Sequence, residues 1–141
     1  MLTAWDKRYI CMAELISTWT KDKSRGVGAV IVNGKNRVVS IGFNGFPTGI
    51  KDDIEERHLK PIKYKFTEHA ERNAIYNTTS SLNGCKIYVT LFPCPDCARA
   101  IIQTGIVEVV CPYINELDNW CDDFKISKEM FEEVSIYVKN Y

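Results

Sequence analysis

Residues 86–111, KIYVTLFPCPDCARAIIQTGIVEVVC, constrain the fold of this chain more than any other stretch. Residues 86–91 read as a strand, residues 95 to about 104 as a helix and residues 107–111 as another apolar strand. A strand, helix and strand in that order form a crossover unit, which pairs its two strands in parallel. With 141 residues, 45% of them hydrophobic, the chain fills one ordinary core and is too short for two. Residues 1–141 are therefore expected to form a single α/β domain.

The rest of the chain supplies elements around that unit. Trp5, Tyr9, Met12, Leu15, Ile16 and Trp19 recur at helical spacing after a capping Thr3, which predicts a first amphipathic helix over residues 5–19. Its aromatic residues are assigned to the core or to a subunit contact. The β-branched runs 27–33 and 37–43 flank Gly34-Lys35-Asn36 and predict an antiparallel hairpin. Residues 44–66 keep no period and read as a long loop, with His58 exposed in it; loops of this length are more often functional than idle. Thr67 is placed as the cap of a helix running to about residue 77, with Ala70, Ala74 and Ile75 on its buried side. The tail predicts a short helix after Ser127 and a last strand over residues 134–138.

Charge and cysteine usage narrow the classes of function. Eighteen basic and eighteen acidic residues, scattered in sign, give no pull toward a nucleic-acid polymer, so a small molecule is the expected substrate. No run is long enough to span a membrane, and the N-terminal MLTAWDKRYI carries charge where a signal peptide needs an apolar core, which points to a cytoplasmic protein. Six cysteines in such a chain read as metal ligands or buried apolar residues rather than disulfides. Cys94 and Cys97 form the one C-x-x-C pair; Cys11, Cys85, Cys111 and Cys121 stand alone and are assigned to burial.

His69, Cys94 and Cys97 lie at the starts of two predicted helices. Three protein ligands with an open fourth position are what a catalytic zinc uses. Pro95 suits the first helical position, so Cys94 falls at the cap and Cys97 three residues on, with both sulfurs facing one point. A helix N-terminus also favours thiolate over thiol. His69 and Glu71 would splay by roughly 200° in a regular helix of about 3.6 residues per turn, and converge only at a helix entrance. There His69 can hold the metal while Glu71, without being a ligand, moves protons between water and substrate.

His69-Ala70-Glu71 followed by Pro93-Cys94-Pro95-Asp96-Cys97 matches the H-x-E…P-C-x-x-C signature of zinc-dependent nucleobase and nucleotide deaminases. VGAVIVN, GFNGFPTG, EHAERNAI and YVTLFPCPDCARAIIQTGI, over about residues 5 to 111, resemble the successive blocks of deoxycytidylate (dCMP) deaminases. The resemblance implies a three-layer α/β/α cytidine deaminase-like fold with a central mixed five-stranded sheet. It also implies hydrolysis of dCMP to dUMP and ammonia, with zinc on His69, Cys94 and Cys97 and with Glu71 shuttling protons. Asn44 matches a sugar-contacting asparagine, and Ala70 lies within the substrate-facing H-A-E. Gly42, Phe43, Asn44 and Gly45 match a stretch associated with a regulatory nucleotide pocket, activated by dCTP and inhibited by dTTP, and with a hexamer interface. His58 and His69 are the sole histidines and Cys11 has no partner nearby, so the second, structural zinc of many relatives is not expected. Glu68 stands where some relatives have cysteine.

Other readings remain open at this level. The C-x-x-C pair also fits a thioredoxin-like redox site, and a zinc-held binding module would draw a fourth ligand from Cys85, Cys111 or Cys121. Among deaminases, a tRNA adenosine enzyme would favour a basic RNA-facing surface, whereas dCTP deamination, beside or instead of dCMP, is the nearer alternative. Lys23, Ser24 and Arg25 are candidates for the 5′-phosphate, Arg25 through its planar fork, with an ordinary solvated turn as the plain reading and Lys51 or Arg57 in reserve. Tyr113 or Trp120 is the candidate to cover the base.

Overall fold

The computed structural model describes residues 1–141. Helix α1 (Ala4–Ser17) begins in a reciprocal capping box: the Asp6 N–H donates to the Thr3 hydroxyl at 3.0 Å and the Thr3 N–H donates to the Asp6 carboxylate at 2.8 Å. The hairpin forms as β1 (Gly28–Val32) and β2 (Val38–Phe43), antiparallel. The crossover unit forms as β3 (Lys86–Val89), α4 (Pro95–Thr104) and β4 (Glu108–Cys111), with β3 and β4 parallel. Strand β5 (Tyr137–Asn140) adds parallel to β4, and β3 pairs antiparallel with β1. The result is a mixed five-stranded sheet in the order β2-β1-β3-β4-β5.

Strand alternation sorts the core into two layers. Val30, Val32, Tyr88 and Val110 face Tyr9, Ile10, Ala13 and Ile16 of α1. Ala29, Ile31, Ile87, Val89 and Val109 face the other way, onto α3 (Ala70–Tyr76), α4 and α5 (Cys121–Glu133). Three layers follow, with the sheet buried on both sides as the expected fold requires.

Two glycines set how closely helices approach the sheet. A Cβ on Gly28 would sit 2.0 Å from the Ala13 carbonyl oxygen of α1. One on Gly42 would sit 2.4 Å from both the Ala70 carbonyl oxygen and the Ala74 nitrogen of α3. Close approach, not turn geometry, is what these positions need.

The chain ends are tied through a buried charge. Asp6, 1% exposed, accepts from Lys139 Nζ of β5 at 2.8 Å and from the Tyr88 hydroxyl of β3 at 2.7 Å. Burial alone would raise its carboxyl, but the donors from Lys139, Thr3 and Tyr88 outweigh it and hold Asp6 well below the usual carboxylate range.

Several expected boundaries move. Thr67 does not cap α3: its hydroxyl donates to the Lys63 carbonyl at 2.8 Å and closes α2 (Lys63–Phe66), and His69 is the N-cap residue of α3. The 44–66 stretch holds that single turn and a 3₁₀ turn at Glu55–His58, both too short to show a period. His58 is half-buried, stacked on Phe46 at 4.8 Å, rather than exposed. Helix α5 starts at Cys121, ahead of the expected start after Ser127, because its buried stripe of Cys121, Phe124, Ser127 and Phe131 includes two small residues that carry little hydrophobic signal. Ser135, at positive φ, delays β5 to Tyr137. Trp5 and Trp19 are 44% and 50% exposed and Cys11 is exposed, so none of the three is core in this chain; Tyr9, Cys85, Cys111 and Cys121 are buried. No helix is long and apolar enough to cross a membrane.

Candidate active site

The entrances of α3 and α4 bring the three metal-ligand candidates together. His69 is extended (φ −78, ψ 153) at the N-cap of α3, and Cys94 is extended at the N-cap of α4 with Pro95 behind it. His69 Nδ1 lies 3.4 Å from Cys94 Sγ and 3.5 Å from Cys97 Sγ, and the three ligand atoms fall within 4.8 Å of one another. Tetrahedral zinc with bonds of about 2.0–2.3 Å separates its donors by about 3.5–3.8 Å, so this set fits one zinc ion. No other His, Cys, Asp or Glu joins the group. Cys85, Cys111 and Cys121 are therefore not a fourth ligand, and the closed site of a zinc-held binding module is not built here.

The electrostatics suit metal binding. The hydrogen bond from Cys97, opposed by burial and helped by His69, lowers the Cys94 thiol to about 4, while Cys97 is raised. The contact with Cys94 raises His69 against the effect of burial. Glu71 sits in the first turn of α3, 4% exposed, and burial pushes its carboxyl up to about 7. It lines the same cavity without belonging to the ligand group. Glu68 is no ligand either: its carboxylate accepts from Arg72 Nε at 2.6 Å and from the His69 N–H at 3.1 Å, which steadies the helix entrance.

These groups open onto a cavity of about 860 Å³. Ser24, Arg25, Asn44 and Ala70 line it, as does Trp120. Asn44 is 7% exposed, and its amide accepts the Val27 N–H at 2.8 Å and donates to the Arg25 carbonyl at 2.9 Å, which joins the start of β1 to the cavity wall. Arg25 is bound to Asp118 at 2.9 Å. Lys23 is exposed and lies outside the lining. Tyr113, 72% exposed, lines a smaller neighbouring cavity instead. Lys51 and Arg57 do not reach the cavity. Of the four residues 42–45 only Asn44 lines it: Gly42 packs on α3, Phe43 meets the Trp19 ring edge-on at 6.1 Å, and Gly45 pairs with Glu68. Lys63, Tyr64 and Phe124 also line the cavity; the aperiodic 44–66 stretch and the late start expected for α5 hid them.

The zinc-binding region model of cytidine and deoxycytidylate deaminases matches residues 3–112, which include every residue of the H-A-E and P-C-P-D-C segments. The chain belongs to this deaminase family. It is 48% identical over 142 residues to an uncharacterized deaminase of Aliivibrio fischeri, covering 98% of this chain and 94% of that one. It is 43% identical over 112 residues to human deoxycytidylate deaminase, covering 75% of this deaminase and 63% of the human protein. The dCMP deaminase of cyanophage S-TIM5, solved with dCMP and dUMP, superposes with a TM-score of 0.80 at 25% identity, covering 100% of this deaminase and 99% of the phage chain.

Proposed function

We propose that this deaminase hydrolyses dCMP to dUMP and ammonia. The observation that carries the reading is the convergence of His69, Cys94 and Cys97, with the non-ligand Glu71 beside them, on one cavity large enough for a nucleotide. Similarity along the whole chain to a phage dCMP deaminase solved with substrate and product supports the choice of substrate.

His69, Cys94 and Cys97 would hold a zinc ion, which when bound would lower the pKa of water for attack near neutral pH. The chain's own residues do the rest. In the net reaction the water oxygen bonds to carbon 4 of the cytosine ring and the bond from carbon 4 to the exocyclic nitrogen breaks. Glu71, buried and uncommitted to the metal, takes a proton from the water and returns protons to the ring and the departing amine. Asn44 contacts the sugar, and Ala70 lies against the base. The GFNG stretch supports a further element of the reading, a homo-oligomer, hexameric as in the family it resembles, whose rate rises with dCTP and falls with dTTP. A monomer indifferent to both triphosphates contradicts that element alone.

The test is ammonia release by the zinc-loaded protein over dCMP, dCTP, deoxycytidine, CMP and adenosine-bearing RNA. The highest kcat/KM is expected for dCMP. A higher value for dCTP moves the assignment to the triphosphate, and turnover confined to RNA overturns it.

A further inference from the structure

We infer that Lys63, with Ser24 at the rim, receives the 5′-phosphate of the nucleotide; this rests on the dCMP reading and names the residue that selects a nucleotide over a nucleoside.

Four cationic side chains besides His69 line the cavity: Arg25, Lys60, Lys63 and Arg72. Arg72 is held by Glu68 at 2.6 Å. Arg25 is held at 2.9 Å by Asp118, whose side chain is 7% exposed. Drawing Arg25 onto a phosphate would break a charge-assisted bond of ordinary length and leave Asp118 with the Trp120 N–H alone, and the Arg25 side chain, 48% exposed, is screened by solvent. Lys60 is exposed, where solvent and salt weaken its pull.

Lys63 differs on each count. Its side chain is 10% exposed, so its charge acts in a poorly screened setting. Its contacts are long: 3.3 Å to each Asp22 carboxylate oxygen and 3.2 Å to the Ser24 hydroxyl. Charge-assisted hydrogen bonds settle at about 2.7–2.9 Å, so this ammonium is shared among acceptors and tightly bound to none. Asp22 does not depend on it alone, since it also accepts the Ser24 N–H at 2.8 Å and the Arg25 N–H at 3.4 Å. Lys63 can therefore turn toward a phosphate without stranding its partner. The Ser24 hydroxyl accepts from Lys63, keeps its own proton to donate, and stands on the exposed side of the same cavity. A dianionic phosphate is matched there by a buried ammonium and a hydroxyl donor.

The test compares kcat/KM for dCMP and deoxycytidine in the parent, Lys63→Met and Asp22→Asn, with zinc content and thermal unfolding measured alongside. Lys63→Met is expected to shrink the dCMP-to-deoxycytidine ratio about 10–100-fold, mostly through KM for dCMP, the usual loss for one bond to a charged group. Asp22→Asn is expected to leave that ratio intact, because it keeps the ammonium. A ratio in Lys63→Met within roughly threefold of the parent overturns the inference. So does an equal fall in both variants, which makes Lys63 only a support for the Asp22 turn. Should Lys63→Met fail to fold, the Kd of dUMP relative to deoxyuridine in Lys63→Gln decides the same question by the same thresholds. A parent protein that does not prefer dCMP to deoxycytidine overturns the functional reading itself; a preference that Lys63→Met retains overturns only the lysine.

Discussion

Replacing Gly42 with alanine couples the fold to the site most directly. Gly42 lies inside β2 and does not adopt positive φ, so nothing in the backbone requires glycine. On propensity alone alanine would stabilise the strand, by roughly 0.5–1 kcal/mol. The neighbours reverse the sign. The new Cβ would lie 2.4 Å from the Ala70 carbonyl oxygen and 2.4 Å from the Ala74 nitrogen, both backbone atoms of α3. Carbon–oxygen contacts settle near about 3.3 Å, so α3 or β2 must yield by about 0.9 Å. Overpacking of this kind costs about 1–3 kcal/mol, or a drop of roughly 3–10 °C in Tm for a chain of this size. Because His69 is the N-cap of α3 and Glu71 lies in its first turn, the same displacement moves a metal-ligand candidate and the proposed proton carrier together. A misplacement near 1 Å can cost about 100-fold in rate. Urea unfolding, zinc retention and kcat for dCMP measured on Gly42→Ala check both effects. A variant as stable as the parent or more so, with undiminished kcat, refutes the close-approach account.

Two further predictions concern the ends of the chain and the metal. Asp6→Asn should cost about 3 kcal/mol at pH 7, the low end for breaking a buried pair, because Lys139 keeps Glu108 at 3.3 Å. Asp6 is depressed in the folded state, so its contribution is present above the unfolded value of about 3.9 and is lost progressively as pH falls below it. Urea midpoints at pH 7, 5 and 3 should therefore converge between parent and variant as pH falls, and a constant gap contradicts the assignment. Cys97→Ala should lose zinc on dialysis, since two ligands hold it poorly; metal analysis that still finds one zinc per chain removes Cys97 from the set.

Legibility from sequence follows the range of the interactions. The crossover unit and the cysteine pair are local: Pro95 fixes where α4 begins, and with it the positions of Cys94 and Cys97. The α3 entrance is legible only to within two residues. His69 and Glu71 can serve one site only at a helix entrance, but Thr67 reads as the cap because its hydroxyl, which closes α2, has the chemistry of one, whereas His69 caps α3 without a side-chain bond. Lys63 is not legible. Its neighbours Asp22 and Ser24 lie about forty residues away in the chain, and nothing in KPIKYKF distinguishes a cavity lysine from a solvated one. Tyr113 misleads in the opposite sense: it follows β4 closely, as a residue covering the base would be expected to, yet it lies outside the main cavity while Trp120, at the mouth of α5, lines it.

The most direct test of the central claim is the turnover of dCMP by Glu71→Gln holding one zinc per chain. The amide keeps the shape of the side chain and cannot carry a proton, and a general acid–base group contributes about 10²–10⁴-fold. Metal analysis should give the parent's zinc content, and kcat should fall by at least about 100-fold. A zinc-replete variant that turns over dCMP within roughly threefold of the parent would show that proton transfer in this site does not depend on Glu71.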